Sequence, residues 1–203
     1  MNEAEIRFFD GIAPYWDATE TMSLPDKINS ILDMIEIEEG SRVLDLGTGT
    51  GVLIPYLLER VGEKGRVLGI DFSEGMLREA RKKFGTLANY ELFECKDFEH
   101  ETIEGKYNLI MLYCVYPHIK DPIITLKKLI NDNLQPGGRL VIAFPANEEV
   151  INNIHKEKKA PSDLLPSSAQ LARNLCALGF NACSIESDSD RYLVIVDSPV
   201  REH

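Results

Sequence analysis

At 203 residues the chain can bury a sizeable core, and 44% hydrophobic with 27% charged residues excludes a disordered or membrane-spanning composition. A formal net charge of −11 argues against a surface built to neutralise phosphate backbones, so no nucleic-acid partner is expected. No apolar run approaches the roughly 18 residues of a spanning helix, and Met1–Ile6 lacks the basic and apolar regions of a secretory signal. A cytoplasmic location without membrane partners is expected.

In chain order, residues 1–40 precede any strand signal. They carry the aromatic stretch Phe8-Phe-Asp-Gly-Ile-Ala-Pro-Tyr-Trp-Asp17 and a predicted helix from about Pro25 to Ile35. The segment is too short for an independent domain, and a helical lid on the core is expected. Arg42 to Leu46 reads as a buried strand running into Gly47-Thr-Gly-Thr-Gly51. Val52 to Val61 reads as a helix that tolerates Pro55 in its first turn. A second strand, Arg66 to Ile70, is closed by Asp71. Ser73 is the expected N-cap of a helix whose apolar face carries Met76, Leu77, Ala80 and Phe84. On that helix Arg78, Arg81, Lys82 and Lys83 mix with Glu74 and Glu79, a pattern that reads as a solvated face.

Tyr90 to Cys95 is a third predicted strand, and Tyr107 to Tyr113 a fourth, apolar enough to be covered on both faces. Asp121 is expected to cap a helix that starts at Pro122 and runs through Leu129. Pro136-Gly-Gly138 predicts a turn into a fifth strand, Arg139 to Phe144. Helices are then expected over Glu148 to Lys158 and Ser168 to Leu178, the latter stopped by Gly179, with Pro161 and Pro166 breaking the chain between. Strands from Ala182 to Glu186 and Tyr192 to Val196 follow, joined by the polar turn Ser187–Arg191. Short apolar runs alternating with amphipathic segments predict a mostly parallel α/β sheet covered by helices. The expected organisation is one domain over 1–203: a lid at 1–40, a ligand-binding core at 41–145, and C-terminal helices with the last two strands at 146–203.

Three glycines between a strand and a helix let backbone approach a ligand closely, although this pattern alone serves several nucleotide-binding families. Asp71 lies 20 residues beyond Gly51 at the end of the next strand, where a carboxylate can accept both hydroxyls of a bound ribose. Asp97, closing the third strand, is placed to accept from an adenine amino group, with Phe98 or Phe72 against the ring. The four cysteines, Cys95, Cys114, Cys176 and Cys183, form no CxxC pair, and Cys114 with His118 supplies only two candidate ligands; no metal is expected.

The set Val43-Leu-Asp-Leu-Gly-Thr-Gly-Thr-Gly51, Gly69-Ile-Asp-Phe-Ser-Glu-Gly-Met-Leu77, Lys96-Asp97 and Leu134-Gln-Pro-Gly-Gly-Arg-Leu140 resembles the class I S-adenosylmethionine-dependent methyltransferases. The resemblance implies a doubly wound, Rossmann-like sheet of seven strands in order 3-2-1-4-5-7-6, the last antiparallel, and S-adenosylmethionine as cofactor. It implies that Asp45, Gly47, Thr48, Gly49 and Gly51 hold the methionine and ribose portions and that Asp71 takes the ribose hydroxyls. Phe72 and Met76 would border adenine, Asp97 and Phe98 would read its edge, and Tyr113 would border the methionine end. A nicotinamide-dependent dehydrogenase is the rival on this topology, but its fingerprint is GxGxxG, whereas this loop is GxGxG with Asp45 two residues before the first glycine.

Phe9-Asp-Gly-Ile-Ala-Pro-Tyr-Trp-Asp17 also resembles the N-terminal segment of the ubiquinone/menaquinone-type C-methyltransferases. That resemblance implies a mobile lid with Tyr15 and Trp16 near the active site. On the acceptor side stands Tyr113-Cys-Val-Tyr-Pro-His118, beyond the fourth strand, with Tyr116 a candidate substrate contact. His118 is the candidate base, because an imidazole titrates near neutrality, and packing of the loop is its other reading. The expected activity is methyl transfer to a small-molecule acceptor by a monomer or homodimer. A non-catalytic S-adenosylmethionine sensor is the reading from another class.

Overall fold

The computed structural model describes residues 3–19, 24–87, 90–95, 97–157, 164–185 and 191–198. Helices α1 (Glu3–Ile12), α2 (Trp16–Thr19) and α3 (Pro25–Leu32) come first, with a 3-10 turn, Ala13–Tyr15, between α1 and α2. Strands and helices then alternate: β1 (Arg42–Leu46), α4 (Ile54–Val61), β2 (Arg66–Asp71), α5 (Glu74–Phe84), β3 (Tyr90–Cys95), β4 (Tyr107–Tyr113) and α6 (Pro122–Lys128). β5 (Leu134–Phe144), α7 (Glu148–Glu157), α8 (Ser168–Ala177), β6 (Asn181–Ser184) and β7 (Tyr192–Asp197) complete the fold.

The strands form one mixed sheet ordered β3-β2-β1-β4-β5-β7-β6, as expected of an α/β protein. β1 to β5 run parallel, while β7 is antiparallel to both of its neighbours, β5 and β6. Alternation along the central strands feeds a separate core on each face. On one face Leu44, Leu46, Ile110 and Leu112 pack under Leu126 of α6 and Leu171 and Leu175 of α8. On the other, Val43, Leu109 and Met111 pack under Ile28 of α3, Leu57 of α4 and Leu77 of α5. Because β1 to β5 are parallel, their carboxyl ends share one edge, and the loops there can meet.

The structure corrects several boundaries. α3 ends at Leu32, short of Ile35, and α6 gives way at Leu129 to a π-turn, Leu129–Asn133. Asn133 explains that turn: its buried side chain donates to the Ile103 carbonyl at 2.7 Å and to the Gly105 carbonyl at 3.2 Å. Asp121 precedes α6, yet its side chain makes no capping bond, and Pro122 begins the helix by itself. β5 starts at Leu134, earlier than expected. Its register with β4 jumps from Tyr107↔Leu134 to Leu109↔Arg139, so the Pro-Gly-Gly residues are looped out of the ladder. β6 spans only Asn181–Ser184. Lys96, Lys158, Pro161 and most of the turn expected over Ser187–Arg191 lie outside the described residues.

Candidate active site

The glycine loop is folded first by its neighbouring strand. The Gly47 and Thr48 amides both donate to the Ile70 carbonyl of β2, at 2.7 and 3.1 Å, so the end of β1 turns over the end of β2. Asp45 is 2% exposed and accepts the Thr48 hydroxyl at 2.7 Å. Asp71 is 4% exposed, and its two oxygens clamp two loops: one accepts the Gly49 amide at 2.8 Å, the other the Ser73 amide at 2.8 Å. The Asp71 carboxylate therefore points at the glycine loop. Ser73 caps α5 by accepting the Met76 amide at 3.1 Å.

Two of the three loop glycines are explained by packing. A Cβ on Gly47 would meet Val115 Cγ2 at 2.3 Å, and one on Gly51 would meet the Phe84 ring at 2.9 Å. Gly49 has φ +56 and nothing within 4 Å. Protein packing requires glycine at the first and third positions; the middle one faces open space.

The N-terminal segment reaches the same edge. Phe9 packs edge-on against Trp16 at 5.7 Å, Phe72 at 5.8 Å and His118 at 5.6 Å between ring centroids. Asp10 accepts the Ser73 hydroxyl at 2.6 Å and the Gly75 amide at 2.8 Å. Asp17 accepts the Thr50 hydroxyl at 2.6 Å and the Lys83 ammonium at 2.7 Å. The segment thus touches the loops following β1, β2 and β4 at once. Glycine loop, second-strand carboxylate and aromatic cover converge on one site.

Residues 37–191 match the family described as Methyltransferase domain. The chain belongs to that family. It is 35% identical to a malonyl-[acyl-carrier protein] O-methyltransferase of Acetivibrio thermocellus over 118 residues, 57% of this chain and 40% of that protein. It is 29% identical to a demethylmenaquinone methyltransferase of Staphylococcus carnosus over 111 residues, 55% of this chain and 46% of that protein. The aligned stretch thus spans less than half of either relative. Among solved structures, an Aquifex aeolicus SAM-dependent methyltransferase superposes with TM-score 0.71 at 24% identity, covering 98% of this chain and 99% of that one. The DhpI–SAH complex superposes with TM-score 0.74 at 20% identity, covering 98% and 97%. The fold is that of S-adenosylmethionine-dependent methyltransferases.

The other expected residues of this methyltransferase domain are distributed unevenly around the site. Met76 is buried beneath the cap of α5, and Phe72 is half-buried under Phe9. Tyr113 ends β4 within the core, and Cys114 beyond it has the unusual φ of +59. Phe98 is buried in the core cluster of Ile119 and Leu126. Asp97 accepts the Glu99 amide at 3.1 Å and pairs with His100 Nδ1 at 2.8 Å. Burial pushes its carboxyl up, but His100 and the Glu99 amide outweigh that and hold it below the ordinary range.

Tyr116 is buried in the short turn that carries His118, and burial pushes its phenol up. Tyr15 is 67% exposed, whereas Trp16 lies against Phe9.

Phe9, Asp10 and Asp17 lie in the aromatic stretch quoted above without a site role of their own, and Thr50 and Tyr192 carry no such role in the sequence either. Each of these aspartates directly follows an aromatic pair, Phe8-Phe9 and Tyr15-Trp16, which is the signal that could have found them. Lys83 was read as part of a solvated face but holds Asp17. Tyr192 lies opposite Phe144 at the carboxyl end of β5, with its buried hydroxyl unpartnered among the described residues. Among the described residues no cluster of three His, Cys, Asp or Glu side chains fits a metal, and no helix is long and apolar enough to cross a membrane. Two clefts of about 130 and 200 Å³ flank Arg139 at the opposite end of the sheet. Both fall below the roughly 300 Å³ where small-molecule sites begin. Arg139 there is already paired with Glu36 and Asp197.

Two predictions follow from this geometry. Gly51→Ala should lower unfolding stability by at least the ~1–2 kcal/mol of left-handed strain, since Phe84 must also move. Gly49→Ala should carry the strain alone and act mainly on ligand affinity; paired denaturation and titration would separate the two, and equal stability losses would contradict the assignment.

The second concerns pH. Burial raises Asp45 to about 7, against the Thr48 bond, and Asp71 to about 6, against the amide bonds from Ser73 and Gly49. Unfolded aspartate titrates near ~3.9. The folded chain therefore binds more protons between these values, and stability from this pair falls as pH rises from about 4 to about 7. Asp45→Asn, which retains an acceptor for Thr48, should flatten that fall in a series of thermal melts; an undiminished slope would assign the titration to other groups.

Proposed function

We propose that the chain transfers the methyl group of S-adenosylmethionine to a small-molecule acceptor at this site. The observation that carries the reading is the buried Asp71 carboxylate held against the Gly49 amide. Amides of Gly49, Ser73 and Phe72 take up three of the carboxylate's roughly four lone-pair sites and leave one for a ribose hydroxyl. The residues therefore fit the cofactor. Asp45 with the loop of Gly47, Thr48, Gly49 and Gly51 would hold the methionine and ribose portions. Phe72 and Met76 would border adenine, with Asp97 and Phe98 at its edge and Tyr113 at the methionine end.

The cofactor supplies a methyl group on a sulfonium, a good leaving group, so the protein's task is positioning and exclusion of water. The segment Glu3–Thr19 serves as the lid, with Trp16 and Phe9 facing inward, while α3 belongs to the core, and Tyr116 contributes to the acceptor side. His118, braced by Phe9, is the base for an acceptor that must lose a proton. The short insertion between β5 and α8 favours a small acceptor. The named relatives act on different acceptors, and neither is transferred to this chain.

Asp71→Ala should weaken S-adenosylhomocysteine binding about tenfold or more in calorimetry, the loss of at least one charge-assisted hydrogen bond. Unchanged affinity would refute the cofactor assignment. His118→Ala should lower kcat about a hundredfold with cofactor affinity intact. Full activity would instead assign the ring to packing against Phe9.

A further inference from the structure

The contact at Gly75 has no explanation in cofactor binding. Gly75 is buried in the first turn of α5, where alanine is the better helix former. A Cβ there would lie 2.7 Å from Asp10 Cα, 2.9 Å from the Asp10 carbonyl and 2.9 Å from its carboxylate. Two of those atoms are backbone and cannot swing aside. Glycine at this position is thus required by the seating of the N-terminal segment.

The seat carries two hydrogen bonds as well, since Asp10 accepts the Gly75 amide and the Ser73 hydroxyl. A second attachment lies further along the segment, where Asp17 receives Thr50 from the glycine loop and Lys83 from α5. Between them Phe9 lies on Phe72 and His118. The segment is pinned at both ends and crosses the site in the middle.

We propose that Asp10, seated on Gly75, and Asp17, bound to Thr50 and Lys83, are positioning residues that latch the N-terminal segment over the glycine loop, so that cofactor exchange follows release of this latch. The proposal rests on the cofactor assignment above. It adds that the segment is fastened by specific polar contacts and that these set the rate of exchange. The same contacts hold Phe9 in place to exclude water from the reacting centre.

Trp16 is the chain's one tryptophan and lies against Phe9, so its fluorescence reports the latch without any ligand. Acrylamide quenching of Trp16 and stopped-flow release of S-adenosylhomocysteine would be measured in the wild type, Gly75→Ala, Asp10→Ala, Asp10→Asn and Asp17→Ala. Gly75→Ala, Asp10→Ala and Asp17→Ala should each raise quenching and speed release about tenfold, as expected for losing contacts of this kind. Asp10→Asn keeps an acceptor oxygen for Ser73 and Gly75 and should stay near the wild type. Circular dichroism should show the helices intact in Gly75→Ala.

Unchanged quenching in all variants overturns the latch. Raised quenching with unchanged release overturns its control of exchange. A wild type that binds no S-adenosylhomocysteine overturns the cofactor assignment and the exchange gate with it, while the quenching series still decides whether the segment is latched.

Discussion

The Asp71 carboxylate joins the parts of this site. By accepting Gly49 and Ser73 it fixes the loop after β1 to the loop after β2. The joint is possible because β1 and β2 are parallel and in register, with Leu46 beside Ile70, so that both chains turn at one level. Ser73 passes the connection outward to Asp10, and Thr50 passes it to Asp17. A short hydrogen-bonded path therefore runs from the sheet through the glycine loop to the first helix. Disturbing the buried carboxylate would loosen both loops, and through Ser73 it would also loosen the cover.

Four carboxylates, those of Asp10, Asp17, Asp45 and Asp71, surround the glycine loop in a chain whose net charge is −11. Burying charge is costly unless partners compensate. The partners differ. Asp17 has an ammonium and a hydroxyl, and Asp71 has the amides of Gly49, Ser73 and Phe72. Asp45 has one hydroxyl and is raised furthest, to about 7. Such a site disfavours polyanionic ligands and favours a ligand bearing positive charge, as a sulfonium with an α-amino group does. Electrostatics and loop geometry thus agree on the ligand class by independent routes.

What could be read from the sequence was local or periodic. The Ser73 cap depends on residues three apart, and the apolar alternation of the strands on residues two apart. Asp71 was legible because its distance from the glycine loop reflects one helix and one strand. The cap expected of Asp121 failed although the residue type was right: Pro122 already starts the helix, and the Asp121 amide bonds Glu99 instead. Asp10 and Asp17 were hidden because their partners lie 63 and 33 residues away. Gly75 was hidden for a related reason. In sequence it is a poor helix former, and only the approach of Asp10 makes it necessary.

The cover and the acceptor side are best understood together. Methyl transfer asks for a dry, aligned approach more than for strong chemical assistance. Phe9 is suited to that demand because one ring contacts Trp16 within the cover, Phe72 beside the second-strand loop and His118 beyond the fourth strand. An apolar ring in this position excludes water from the imidazole and from the loops that it bridges. Away from that ring, Tyr192 pairs with Phe144 at the end of β5, and its buried hydroxyl has no partner among the described residues. Leaving such a group unsatisfied costs about 1–3 kcal/mol. A ligand that offered the missing hydrogen bond at this end of the sheet would recover that cost, and one of the same shape without a polar atom would not.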